Sequence, residues 1–133
     1  MITIKQWIER RSAAWVRAGF GQWVDSPESA LGRPIYRVAD GPVTFIFSEL
    51  GFVYDGPPAS FECEYSEVER IEVAPIREIM PKEGDLLPRS DLSRLLTITV
   101  IHRDVLKNLK MNFPLKAHNL VASVLPRIVE ELV

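Results

Sequence analysis

The apolar positions of this chain repeat at helical spacing, then at alternating spacing, then at helical spacing again. Near the N-terminus Ile4, Trp7, Ile8, Trp15 and Ala18 share one helical face, with Ala14 at its margin. Thr3 followed three residues later by Gln6 fits a capping box, and Gly19 is a natural stop. Arg10, Arg11 and Arg17 lie toward the other side. The pattern predicts one helix from Thr3 to Ala18. A connection follows to Gly32, in which Ser26-Pro27 could open a single helical turn.

From Arg33 the apolar period becomes two. Strands are predicted over 34–39, 43–48, 52–55, 61–65, 70–74, 95–101 and 105–113. Asp40-Gly41-Pro42 and Gly56-Pro57-Pro58 supply turns. Phe61, Cys63 and Tyr65 alternate with Glu62 and Glu64, so that strand should have one buried and one acidic face. Thr97 to Val100 are four β-branched residues in a row, which favours a strand. His102-Arg103-Asp104 is expected to turn the chain into the next strand. Residues 75–93, with three prolines and mixed charges, are expected to form a long connection of the functional or mobile kind.

After Pro114 the helical period returns. Ala117, Leu120, Val121, Val124, Leu125, Ile128, Val129 and Leu132 follow the i, i+3, i+4 rule to the end of the sequence. Pro126 inside this helix removes one backbone donor and crowds the carbonyl of Ala122, so a kink is expected there. The reading is one α+β domain over 1–133: an N-terminal helix and connection (1–33), antiparallel strands (34–113) and a C-terminal helix (114–133).

This order of about seven short strands and a final amphipathic helix resembles the pleckstrin-homology-like superfold, including its GRAM-like branch. The stretch Phe61-Glu-Cys-Glu-Tyr65-Ser-Glu-Val68-Glu-Arg-Ile71 is similar to that family's passage from strand through turn to strand. Residues 95–133 are similar to its last hairpin and helix. The resemblance covers roughly 34–133 and implies a barrel of two bent sheets with the C-terminal helix plugging one end. Members that bind phosphoinositides place several Lys or Arg around the first strand-turn-strand. Here that region offers Arg33 and Arg37, and its turn is Asp40-Gly41-Pro42, so the fold is implied more strongly than lipid-headgroup binding.

Charge and residue usage narrow the function. The net charge of −2 supplies no basic field for nucleic acid. Its distribution is uneven, however: +3 over 1–37, −7 over 38–78 and +2 over 79–133. Cys63 is the only cysteine, so no intrachain disulfide can form and a reducing compartment, the cytoplasm, is expected. No run of 18 apolar residues is present, and the first residues do not read as a signal peptide.

No catalytic motif is found: no Gly-rich phosphate loop, no nucleophile elbow and no zinc-protease helix. His102 and His118 have no metal-ligand spacing between them, and ordinary surface or cap roles are expected. Cys63 reads as a buried structural thiol beside Glu62 and Glu64 rather than a nucleophile. No catalytic residue, metal or cofactor is therefore expected. Glu62, Glu64, Glu67, Glu69 and Glu72 read first as a solvated strand face and next as a docking patch for another protein, a basic one in particular. Trp7 and Trp15 on the N-terminal helix, with Trp23 after it, could pack on the chain's own core, on a partner or at a membrane surface. The expectation is a non-enzymatic module that binds another protein, one form being an inhibitory or immunity-type protein that neutralises a toxin or enzyme. The alternative is a peripheral membrane or lipid-binding domain.

Overall fold

The computed structural model describes residues 3–24, 30–73, 96–103 and 108–132. The Ser26-Pro27 turn, the 75–93 connection and the first residues of the return strand lie outside them. Alternation places the strands where the sequence suggests: β2 (Pro34–Asp40), β3 (Val43–Ser48), β4 (Gly51–Asp55), β5 (Phe61–Glu64), β6 (Val68–Val73), β7 (Leu96–His102) and β8 (Asn108–Phe113). A short strand that the sequence did not signal, β1 (Gln22–Trp23), precedes them and pairs with β2. A single 3-10 turn, Tyr65–Glu67, joins β5 to β6.

Among the described residues the strands β1 to β8 pair antiparallel with their neighbours in the chain. They form a five-stranded sheet, β1 to β5 in order, and a three-stranded sheet, β6 to β8 in order. The two expected sheets are thus observed, but no closed barrel: among the described residues no strand pairing joins one sheet to the other. Hydrogen bonds between Tyr54 on β4 and Asn112 on β8 do cross from sheet to sheet: the Asn112 backbone N–H donates to the Tyr54 hydroxyl at 2.9 Å, and that hydroxyl lies 3.1 Å from the Asn112 carbonyl oxygen.

The inner faces follow the period of two. Tyr36, Val38, Val43, Phe45, Phe47, Phe52, Tyr54 and Cys63 face inward from the first sheet. Ile98, Val100, Met111 and Phe113 do so from the second. Phe45 stacks on Phe52 at 5.4 Å and meets Phe113 of the other sheet edge-on at 5.8 Å. Each such pair adds roughly 0.5–1.5 kcal/mol beyond its area burial. Helix α3 (Leu115–Leu132) lays Ala117, Leu120, Val121, Val124, Leu125, Ile128 and Val129 into the same core. The helix continues through Pro126.

The N-terminal segment departs from expectation. It is two helices, α1 (Ile4–Arg11) and α2 (Ala13–Arg17), broken at Ser12. Ser12 leaves helical geometry (φ −132°, ψ 26°), and serine is a weak former of helix interiors. The capping box of Thr3 and Gln6 is present, and Gly19 has the positive φ (78°) of a helix stop. Helix α1 packs on α3 with Ile8 fully buried, and the Arg11 guanidinium donates to the Ser123 carbonyl at 3.3 Å.

Candidate functional site

The passage from β5 through the 3-10 turn to β6 gathers most of the residues with chemical character. Two bonds from Tyr65 fix the turn. Its backbone N–H donates to the Leu50 carbonyl at 3.0 Å, and its buried hydroxyl donates to the Ser48 carbonyl at 2.8 Å. A close approach of strands supports it from the other side. A Cβ on Gly51 would stand 2.3 Å from the Cys63 carbonyl oxygen and 2.9 Å from the Glu64 Cα, so only glycine lets β5 lie this near β4.

Within that frame Cys63, Glu67 and His102 converge. Their Sγ, carboxylate oxygen and ring nitrogen all lie within 4.8 Å of one another. Register explains the meeting: β6 and β7 pair Val68 with His102, which delivers the imidazole beside the turn that ends at Glu67. Glu67 uses both oxygens. One accepts the Glu64 backbone N–H at 3.0 Å, and the other lies 3.0 Å from His102 Nε2. The backbone bond first, and His102 second, hold the Glu67 carboxyl below its ordinary value. Burial, with Glu67 and Glu64 nearby, pushes the Cys63 thiol up to about 12. At neutral pH that favours the protonated thiol, in the buried position that the sequence suggested. Its Sγ lies 3.4 Å from the Glu64 carbonyl oxygen.

Two histidine expectations are corrected. Strand β7 extends through His102, which is only 8% exposed rather than in a surface turn. His118 is 3% exposed near the start of α3, and burial lowers its pKa. The apolar core that surrounds the first helical turn is what the local sequence could not show. Linear spacing also hid the Cys63–Glu67–His102 meeting, because His102 stands 35 residues from Glu67. The one available signal was that Cys63 and Glu67 flank a turn at a strand end.

The five glutamates divide. Glu62, Glu64 and Glu69 are exposed, the first two on β5 and the third on β6. Glu72 is exposed and paired with Arg70 at 3.0 Å. Glu67 is half-buried and turned to His102. Among the described residues, β5 and β6 are edge strands of their respective sheets.

The tryptophans divide too. Trp7 and Trp15 are half-buried and pack against the common core. Trp23 is 41% exposed, meets Tyr36 edge-on at 4.7 Å and has the Lys5 ammonium 5.4 Å over its ring. No helix among the described residues is long and apolar enough to cross a membrane.

No protein-family model matches the chain, and no curated protein or solved structure matches it.

Proposed function

We propose that this chain is a non-enzymatic module that binds another protein through the acidic edge built by β5 and β6, on a pleckstrin-homology-like frame. The observation that carries the reading is that two edge strands, consecutive in the chain, both present exposed glutamates. Residues 61–73 hold five glutamates and one arginine. An acidic edge of this kind attracts a basic surface and speeds encounter with it. An inhibitory or immunity-type protein that neutralises a basic toxin or enzyme is the concrete form. The frame is supported by four consecutive strands (β2 to β5), three more (β6 to β8) and a closing helix, an order in keeping with that superfold.

Charges on edge strands also keep those edges from pairing with other chains. Association kinetics separate the two roles. A partner isolated by affinity purification from the native cell should bind the Glu62→Lys, Glu64→Lys, Glu69→Lys variant more slowly and with a flatter salt dependence. Equal rates at low and high salt in both proteins would remove the patch from the reading.

A peripheral membrane role is the second reading, and the exposed Trp23 with Lys5 beside it is what favours it. The half-buried state of Trp7 and Trp15 argues the other way. Pelleting with anionic vesicles, lost on Trp23→Ala, would replace the protein-binding reading by this one.

A further inference from the structure

The geometry points to a transition-metal site, of the Zn²⁺ class, formed by Cys63, Glu67 and His102 at the junction of the two sheets. It is tested apart from the docking reading, whose charge-reversal variant changes none of these three residues.

The donor set is of mixed type and comes from three elements. Sulfur comes from β5, a carboxylate from the 3-10 turn and imidazole nitrogen from the end of β7. This combination suits zinc, whose usual ligands are cysteine sulfur, histidine nitrogen and carboxylate oxygen. Tetrahedral bonds of the usual lengths put neighbouring donor atoms about 3.5 Å apart. Here all three lie within 4.8 Å of one another, and the Glu67 oxygen is 3.0 Å from His102 Nε2. Side-chain adjustments on the order of 1 Å would complete the geometry.

Charge fits as well. A thiolate and a carboxylate neutralise a divalent ion, and a neutral imidazole adds none, so the site would place no net charge in the core. Cys63 is 2% exposed and His102 8%, whereas the Glu67 side chain is 38% exposed. The ion would enter past Glu67, and that open side leaves a fourth position for water. Arg103, next to His102, donates its Nε to the Val68 carbonyl at 3.2 Å.

Binding must balance in protons. The ion replaces the proton on Cys63 Sγ, which leaves for solvent. His102 binds through one ring nitrogen as neutral imidazole and keeps its proton on the other. Glu67 is already a carboxylate at neutral pH. One proton is therefore released per ion.

The test uses the full chain stripped of metal and titrated with Zn²⁺ and Co²⁺ alone. One equivalent of Co²⁺ should give a thiolate-to-cobalt charge-transfer band in the near ultraviolet. One Zn²⁺ should raise the melting temperature. Calorimetry in two buffers of different ionisation enthalpy should report release of about one proton. Losing an outer-shell partner costs about 10-fold or more in metal affinity, so Cys63→Ala and His102→Gln, which remove ligands, should each cost more than about 10-fold. Circular dichroism of the variants checks that they remain folded. The wild-type cobalt spectrum decides the matter even if they do not. No charge-transfer band in the wild-type protein, or Zn²⁺ binding unchanged in a folded Cys63→Ala variant, overturns the site.

Discussion

Replacing Tyr65 by Phe tests how the turn at the sheet junction is held. The hydroxyl is buried and donates to the Ser48 carbonyl at 2.8 Å. The residue opposite Ser48 on β2 is Pro34, which has no N–H to offer in exchange. A typical hydrogen bond contributes roughly 0.5–1.5 kcal/mol net, and a buried carbonyl left without its donor costs about 1–3 kcal/mol. The ring itself stays, so no cavity is added. The expected loss is about 1–2 kcal/mol, which at a urea m-value of roughly 2 kcal/mol per molar moves the midpoint down by about 0.5–1 M. The slope should not change, because the area exposed on unfolding is nearly the same. Equilibrium urea unfolding followed by tryptophan fluorescence reads the shift. A midpoint within ~0.2 M of wild type would refute the argument that the Tyr65–Ser48 bond pins the turn, since the midpoint shift tracks the lost free energy directly.

Gly51→Ala should be the more damaging change, because its Cβ would meet backbone rather than a flexible side chain. A loss of about 3 kcal/mol, at the top of the overpacking range, is expected by the same unfolding assay, and a neutral result would mean that β5 can step aside at no cost. His118 predicts a pH dependence. Burial lowers its folded-state pKa below the unfolded value of about 6.5, so full stability is present above that pH and is lost as pH falls toward the folded value. His118→Leu should flatten the stability curve just below about pH 6.5, where one proton is worth up to roughly 1.4 kcal/mol per pH unit; an unchanged slope would mean that the ring gains a proton without unfolding. Glu67, also depressed, acts in a lower window: it stabilises above the ordinary carboxylate range and that contribution is lost as pH falls through its lowered value.

Local periodicity determined a good deal about this protein. The alternation of Val43, Phe45 and Phe47, and of Phe61 and Cys63, already chose which side of each strand faces the core. The i, i+3, i+4 run after Pro114 did the same for α3, since side-chain direction follows from backbone repeat alone. The Thr3–Gln6 cap and the Gly19 stop were legible because they depend on neighbours three or four residues away. Other features depend on residues far apart in the chain. The break at Ser12 coincides with contacts that α1 makes on α3, which no local pattern records. The two-residue strand β1 exists only because β2 offers it a partner. The burial of His102 and His118, and the meeting of Cys63, Glu67 and His102, arise from strand register and helix docking. A sequence sets which way each side chain points from its own backbone; only the pairing of distant segments decides what it then touches.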